Sequence, residues 1–242
     1  MYLMFLQGRG PGAGSDRESE AVAEARLLAG VPRPVIVNVG ANEGQWASAM
    51  MPRIPRARWV LVEPSAQCQQ ALVALREARL SGEVEVREVA LGAAAGSAEF
   101  WADAPGSPAA SVFQRPDGYL HDLTATMERV PVTTLDELAS ELGLSRIDLL
   151  KMDCEGSEFA VLSGASGLLA RGQIRAISFE FGSAAVAARV FFHDFWELLA
   201  VTGGYRISRV LPGGRTVAID EYHERLEHFY GTATYLATLW GQ

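Results

Sequence analysis

Cysteine is scarce in this sequence, which has two among 242 residues, Cys68 and Cys154. Two cysteines make no disulfide framework and offer no metal-ligand spacing, so we expect a protein of a reducing compartment. The sequence also lacks any run of about 18 apolar residues, which argues against a membrane-spanning helix. Its apolar start, residues 1–6, has no basic segment before it and is too short for a secretory signal. We therefore predict a cytoplasmic protein.

Basic residues are few as well, since 21 Lys plus Arg stand against 29 Asp plus Glu, a net charge of −8. A surface that follows nucleic-acid phosphates needs clustered Lys and Arg, and no such cluster occurs, so we expect no nucleic-acid partner. Lysine itself is almost absent, because 20 of the basic residues are arginines and Lys151 is the single lysine. A compact, titratable ammonium differs from a guanidinium, so Lys151 is a candidate for chemistry.

What the sequence does contain is an alternation of strand-like and helix-like segments. Residues 7–17 hold four glycines and a proline, which favours a flexible lead-in; we place a flexible segment at 1–18 and a single domain at 19–242. Strands are predicted at 34–39, 58–63, 83–88, 147–153 and 174–181, and helices at 19–29, 44–52, 65–79, 134–142, 156–164 and 190–200.

The last segments and the middle of the chain complete this outline. Residues 205–211 and 216–219 flank a Pro-Gly-Gly-Arg turn, which predicts a hairpin. Residues 92–129 are rich in Ala, Gly, Ser and Pro, and we expect loops there. The whole order predicts an α/β fold with a doubly wound, mostly parallel sheet that ends in an antiparallel hairpin.

The turn after the first predicted strand is bounded by glycines, Gly40 and Gly44. In an open α/β sheet the ligand binds beyond the carboxyl ends of the strands, where such a turn lets the backbone approach it. The spacing is not that of a pyrophosphate-binding loop, which disfavours a dinucleotide. Glu63 follows Gly40 by 23 residues and could accept both hydroxyls of a ribose. The alternative is two glycines that cap a helix and a solvated Glu63.

A second cluster, Lys151, Asp153 and Glu155, follows a later predicted strand. Side chains alternate along a strand, so these three would point to one side. Their carboxylates could hold a divalent cation, act as a base or orient the sulfonium end of a cofactor. A salt-bridged lysine at the end of a strand is the alternative without function.

Taken together, six segments resemble, in order, the FkbM family of S-adenosylmethionine-dependent methyltransferases. The resemblance spans about residues 34–238 and rests on residues 37–44 (VNVGANEG), 62–64 (VEP), 89–92 (VALG), 134–138 (TLDEL), 150–158 (LKMDCEGSE) and 177–181 (ISFEF). It implies a Rossmann-like class I methyltransferase sheet of seven strands and S-adenosylmethionine as cofactor. It also implies methylation of a hydroxyl, on a glycosyl or a secondary-metabolite (polyketide-type) acceptor.

The resemblance assigns roles to residues of this chain. Gly40 and Asn42 would lie along the methionine and ribose of the cofactor, and Glu63 would take the ribose hydroxyls. Asp153 would sit under the methionyl amine. The remaining residues that it implies are Ala90 and Leu91 at the adenine, Glu43 and Pro64 within the cofactor motifs, and Lys151 and Glu155 beside the acceptor.

The general base is the least determined of these residues. His193 is attractive because a histidine titrates near neutral pH and its predicted helix follows the fifth strand. Asp153, Glu155 and Glu180 are alternative bases, and a surface histidine is the alternative without function. We expect no catalytic metal, because only Asp153 and Glu155 are placed to offer carboxylates.

One segment departs from the pattern of the glycan-associated members of the family. Residues 182–189 (GSAAVAAR) carry four alanines, whereas the glycan-associated members typically carry polar residues in this segment. Specificity could instead come from the middle loops, which offer Trp101, Ser111, Arg115, Tyr119 and His121. We expect an O-methyltransferase with a small-molecule or glycan acceptor; a homo-oligomer is compatible with the sequence. The rivals are a catalytically silent methyltransferase-like binding domain and a nucleotide-dependent oxidoreductase.

Overall fold

An eight-stranded sheet forms the centre of the protein, of which the computed structural model describes residues 17–78, 83–115, 124–228 and 231–239. Its strands are β1 Val35–Val39, β2 Arg58–Val62, β3 Val84–Arg87, β7 Leu149–Met152, β8 Ala176–Phe181, β9 Tyr205–Leu211, β10 Arg215–Ile219 and β11 Ala233–Leu239; a second sheet holds β4 Ala90–Leu91, β5 Gly96–Ala102 and β6 Thr126–Thr133. The strand order in the main sheet is β10-β9-β11-β8-β7-β1-β2-β3.

The directions of the strands confirm the predicted fold class. Strands β3, β2, β1, β7 and β8 run parallel to their neighbours, while β11 is antiparallel to both β8 and β9. The predicted hairpin is formed by β9 and β10, which pair antiparallel. The main sheet has eight strands instead of seven, because both strands of the hairpin join it and β11 is inserted between β8 and β9.

The three-stranded sheet corrects the expectation of loops throughout residues 92–129. Strand β5 pairs antiparallel with β6 from Gly96 opposite Val132 to Ala102 opposite Thr126. Strand β5 contains Gly, Ser and Glu and is half exposed, so its sequence carries a weak strand signal. The backbone pairing with β6, about 30 residues away, supplies the hydrogen bonds that local propensity does not.

Helices cover both faces of the main sheet. They are α1 Arg17–Leu27, α2 Gln45–Met50, α3 Gln69–Ala78, α4 Leu135–Glu141, α5 Glu158–Ser163, α6 Ser166–Ala170, α7 Ala184–Ala188 and α8 Phe192–Phe195, with a π-helix at Trp196–Thr202 and 3₁₀ turns at Ala66–Cys68 and Glu224–Glu227. The capping box of α4 is confirmed: Glu137 N donates to Thr134 Oγ1 and Thr134 N to Glu137 Oε2, both at 3.1 Å. Residues 17 and 18 of the expected flexible segment begin α1, and the rest of that segment lies outside the described residues.

The central strand β7 divides the core between the two faces. Leu150 and Met152 face the larger hydrophobic cluster, while Leu149 belongs to a second cluster beneath the opposite face, together with residues of α1 and α2. Lys151 has the same strand parity as Leu149 and is equally buried. Within the described residues, no helix has the length and apolar character needed to cross a membrane.

Candidate active site

The turn after β1 approaches the end of β7 so closely that only a glycine fits. Gly40 has a φ of +76°, and a Cβ placed there would lie 1.9 Å from the carbonyl oxygen of Asp153. The amides of Gly40 and Ala41 both donate to Val62 O at 3.0 Å, which ties the turn to β2 as well. The ends of three adjacent parallel strands are thereby held together, as a ligand site of an open α/β sheet requires.

Glu63, at the end of β2, is buried and held by backbone amides. Its Oε2 accepts from Asn42 N and its Oε1 from Ser65 N, each at 2.9 Å. Burial raises the pKa of Glu63, and the two amides oppose that rise. A carboxylate has about four acceptor positions, so each oxygen of Glu63 retains one for a ligand.

These residues surround a first cleft of about 490 Å³ that opens to solvent. The structure brings seven of the eight residues predicted for the cofactor to its lining: Gly40, Asn42, Glu63, Pro64, Ala90, Leu91 and Asp153. Glu43 is the exception, since it is exposed and accepts from Gln45 Nε2 at 3.1 Å.

A middle loop, which the sequence offered as a possible source of acceptor specificity, forms another wall of the first cleft. It follows β5 and contributes Ser107, Pro108, Ala110 and Val112, while β5 itself contributes Phe100. Asn42 Nδ2 donates to Gly106 O at 3.2 Å and fixes the loop above the glycine turn. No sequence motif in the loop predicts this role, because the position of the loop depends on the pairing of β5 with β6.

A second cleft, of about 340 Å³, lies on the other side of the turn that follows β7. Asp153, Cys154 and Ser157 line the first cleft, whereas Glu155, Gly156 and Glu158 line the second. The rest of the second lining comes from β8, α7, α8 and the segments beside them: Glu180, Phe181, Gly182, Ala184, Ala185, Val190, Phe195 and Thr232. The two clefts therefore share one wall, the turn 153–158.

The three carboxylates of the second cleft differ in their partners. Glu155, at a φ of +52°, forms an ion pair with Arg115 at 2.6 Å. Glu158 accepts from the amides of Cys154 and Gly156, both at 2.9 Å, and burial raises its pKa to about 7. Burial and the neighbouring Asp153 raise the pKa of Glu180 well above its ordinary value, and none of the described residues donates a hydrogen bond to it.

Lys151 lines neither cleft, contrary to the expectation that it lies beside the acceptor. Its Nζ lies 3.3 Å from Glu20 Oε2 of α1, and both side chains are buried. Thr234 Oγ1 donates to the other oxygen of Glu20 at 2.6 Å. Desolvation lowers the pKa of Lys151, but Glu20, Glu24 and the two cleft carboxylates Asp153 and Glu180 together raise it above its ordinary value. Lys151 is thus a buried cation beneath the two clefts.

His193 lies outside both clefts. Its side chain is exposed, its Nε2 is 3.6 Å from Glu197 Oε1, and its ring packs edge-on against Tyr222 with the centroids 4.7 Å apart. The position of its helix after β8 predicts that His193 lies on the acceptor side, but α8 turns its other face, with Phe192 and Phe195, into the core. His193 therefore has the contacts of a surface residue.

The remaining sequence candidates fall into three groups. Ser111 and Arg115 both reach Glu155: Ser111 Oγ donates to its carbonyl oxygen at 2.7 Å. Trp101 bridges Ser111 through its backbone. Tyr119 and His121 lie outside the described residues.

In the part of the chain that the structure describes, no group of three or more His, Cys, Asp or Glu side chains could hold a metal ion.

The family of the chain follows from comparison with known proteins. A family model described as the methyltransferase FkbM domain matches residues 38–207. The chain belongs to the FkbM methyltransferase family. The match begins within β1 and ends within β9, and it includes the whole lining of the first cleft and all of the second except Thr232.

Two curated relatives of this FkbM-family protein have informative names. The AMB antimetabolite synthetase AmbE of Pseudomonas aeruginosa is 34% identical over 164 residues, which cover 55% of this chain and 8% of that protein. The 2-O-methyltransferase NoeI of Sinorhizobium fredii is 28% identical over 153 residues, which cover 58% of this chain and 60% of NoeI. The chain thus matches less than two thirds of the length of either relative.

Solved structures resemble the FkbM-family protein more loosely. A precorrin-6y C5,15-methyltransferase from Geobacter metallireducens has a TM-score of 0.45 at 10% identity, with 90% of this chain and 87% of that chain covered. The plantazolicin methyltransferase BpumL, solved in complex with SAH, has a TM-score of 0.42 at 11% identity, with 92% and 84% covered.

The cofactor of this FkbM-family protein is S-adenosylmethionine, and the chemistry of the first cleft suits that molecule. The cofactor carries a ribose diol, an adenine ring and cationic groups. Glu63 offers unused acceptor positions for a diol, Ala90, Leu91 and Phe100 offer apolar contacts for a ring, and Asp153 offers a carboxylate for a cation.

Proposed function

We propose that the protein is an O-methyltransferase that transfers the methyl group of S-adenosylmethionine to a hydroxyl of a glycosyl or secondary-metabolite acceptor. The observation that carries this proposal is the shared wall: a cleft with the chemistry of the cofactor and a second, carboxylate-lined cleft meet at the single turn 153–158. The name of the relative NoeI, a 2-O-methyltransferase, supports oxygen as the acceptor atom.

In this proposal the first cleft positions the cofactor. Glu63 accepts the two ribose hydroxyls, because its orientation is already fixed by the amides of Asn42 and Ser65. The glycine turn at Gly40 lies along the methionine portion. Ala90 and Leu91, which are buried, flank the adenine. A preorganised site of this kind spends little binding energy on ordering its own side chains.

Asp153 is the residue that we assign to proton transfer. It lines the first cleft at the wall shared with the second, and among the described residues none donates a hydrogen bond to its carboxylate. The bound cofactor supplies a methyl group on a sulfonium sulfur. As the acceptor oxygen bonds to the methyl carbon and the carbon–sulfur electron pair stays on sulfur, Asp153 receives the hydroxyl proton. Positioning and general base catalysis are the expected sources of rate enhancement.

The other predicted catalytic residues have different roles in this proposal. Glu155 is engaged by Arg115 and shapes the second cleft instead of accepting a proton. Lys151 stays charged beneath both clefts and contributes a positive potential to Asp153 and Glu180. His193 has no role in the transfer, because it is exposed beside Glu197 and Tyr222.

Transfer of an isotope-labelled methyl group from S-adenosylmethionine to a panel of hydroxyl-bearing glycosides and polyketide alcohols tests this proposal. Asp153→Asn should lower kcat at saturating cofactor by about 100-fold, the lower end for loss of a general base, and should also weaken the binding of S-adenosylhomocysteine, because Asp153 offers the carboxylate for a cation of the cofactor. Asp220→Asn is the matched control, because Asp220 is exposed at the far edge of the sheet and should leave both quantities unchanged.

Two results would contradict the proposal. One is a labelled product whose methyl group sits on nitrogen or carbon. The other is full activity of Asp153→Asn, which would remove Asp153 from proton transfer.

A further inference from the structure

Glu180 is the carboxylate of the second cleft whose hydrogen-bonding capacity is unused. Glu155 is neutralised by Arg115, and Glu158 is occupied by two backbone amides. Glu180, on β8, lines the same cleft and receives no hydrogen bond from the described residues. Glu180 is partly exposed on the wall of the cleft, so its carboxylate is open to a ligand, and a hydrogen bond from a charged donor to it is stronger than one from a neutral donor.

We propose that Glu180 binds a protonated amine of the methyl acceptor, so that the substrate is an amino alcohol. This inference rests on the proposed function and names the class of its acceptor. The hydroxyl that is methylated and the ammonium that Glu180 holds would belong to one molecule that reaches across the turn 153–158.

The charges around Glu180 favour a cation over an anion. Asp153, Glu20 and Glu158 all act on Glu180 as like charges, and Lys151 is the one cation among its main electrostatic neighbours. Lys151 is already engaged by Glu20 at 3.3 Å. Excess negative charge in a partly buried site attracts an ammonium and repels a carboxylate or phosphate, since such interactions are screened less there than between fully exposed groups.

The rest of the cleft explains why the recognition falls on this one carboxylate. Its walls include Ala184, Ala185, Val190 and Phe195, which offer no hydrogen bonds through their side chains. A compact ligand with an apolar body and a charged tip fits such a lining better than a fully hydroxylated sugar.

Small probes of matched shape test this inference without knowledge of the natural acceptor. Protein saturated with S-adenosylhomocysteine is titrated with benzylamine, benzyl alcohol and benzoate, and binding is followed by NMR. Benzylamine should bind with a millimolar dissociation constant, as expected for a ligand of this size, and at least about tenfold more tightly than benzyl alcohol. Benzoate should not bind.

The variant Glu180→Gln should bring benzylamine to the affinity of benzyl alcohol. Glu197→Gln is its control, because Glu197 is exposed on the π-helix outside the cleft. The wild-type protein offers a second readout that needs no variant. Because burial raises the pKa of Glu180 and an ammonium favours the ionised carboxylate, bound benzylamine should lower this pKa, and NMR titration of the carboxyl group in the free and the bound protein measures the change.

Several results would overturn the inference. They are equal binding of the three probes, tighter binding of benzoate, no saturable binding of benzylamine up to about 20 mM, or benzylamine binding that leaves the pKa of Glu180 unchanged. Each of these would leave the proposed function standing, as long as S-adenosylhomocysteine binds and hydroxyl acceptors are methylated. A folded protein that does not bind S-adenosylhomocysteine would instead contradict the proposed function.

Discussion

The two clefts share one wall, yet they satisfy their polar groups in different ways. In the first, Glu63 is held by amides two and 21 residues away in the chain, next to a turn that only Gly40 can make. In the second, Glu155 depends on Arg115, 40 residues away, and Glu180 has no described donor. The first cleft is therefore complete before a ligand arrives, whereas the second has unused capacity that its ligand must meet.

The largest effect is expected at the close contact that completes the first cleft. Gly40→Ala places a Cβ 1.9 Å from the carbonyl oxygen of Asp153, so the ends of β1 and β7 must separate. We expect the affinity for S-adenosylhomocysteine to fall by at least about 100-fold and stability to fall by about 3 kcal/mol or more. Calorimetric titration and chemical denaturation measure the two.

Gly213→Ala is the matched control for this change. Gly213 has the same φ of +76°, in the turn between β9 and β10, but a Cβ there meets no atom within 4 Å. It should cost only the backbone strain of about 1–2 kcal/mol and leave cofactor affinity unchanged. Similar losses of affinity in both variants would show that the contact with Asp153 is not what shapes the cleft.

The next largest effect concerns Lys151, which lies beneath the two clefts and is expected to affect stability but not cofactor affinity. Lys151→Met leaves Glu20 buried without its cation, which should destabilise the protein by about 3–5 kcal/mol, and Lys151→Met with Glu20→Gln should recover part of this loss. Cofactor affinity of the folded fraction should change by less than about threefold, because Lys151 lines neither cleft.

Another ion pair of α1 provides the contrast for Lys151. Glu18 pairs with Arg53 at the surface, so Arg53→Met should cost at most about 1 kcal/mol. Two results would return Lys151 to the acceptor site. One is a Lys151→Met variant that is as stable as wild type. The other is a stable variant that has lost both methyl transfer and affinity for the acceptor.

A smaller effect concerns pH and the shared wall. Burial raises the pKa of Glu158 to about 7, so the folded state favours the protonated form. Its contribution to stability is full below the unfolded pKa of 4.5 and is lost as pH rises through 7, by at most about 3 kcal/mol. Chemical denaturation of Glu158→Gln should therefore show a flatter dependence of stability on pH between 5 and 7 than wild type.

Glu137 provides a comparison in which the folded state lowers the pKa instead of raising it. The Thr134 amide and the two threonine hydroxyls lower the pKa of this exposed capping residue, so its contribution is lost as pH falls. Glu137→Gln should leave the slope between pH 5 and 7 close to that of wild type. An unchanged slope in Glu158→Gln would mean that Glu158 is ionised throughout this range.

The features that the sequence predicted are those set by short-range interactions. Alternating apolar runs located the parallel strands, and the capping box at Thr134 located the start of α4. The turn at Gly40 was predicted from two glycines that follow an apolar run, and Glu63 from its spacing to Gly40, together with the general rule that ligands bind at strand ends.

The features that the sequence did not predict depend on distant partners. The partner of Lys151 is Glu20, 131 residues earlier, and nothing in the local pattern of α1 indicates a buried carboxylate. Strand β11 is inserted between β8 and β9 although it follows both in the chain. The exposure of His193 depends on which face of α8 meets Phe179, and the neighbouring aromatic residues did not distinguish the two faces.

The account depends most on the claim that the first cleft binds the cofactor through Glu63. Calorimetric titration with S-adenosylhomocysteine should give a micromolar dissociation constant, about −8 kcal/mol, for wild type. Glu63→Ala should weaken binding by about 100-fold, through loss of two hydrogen bonds to a charged group, whereas Glu43→Ala should not change it, because Glu43 lies outside the cleft. Equal binding by wild type and Glu63→Ala, or no binding by folded wild-type protein, would contradict the claim.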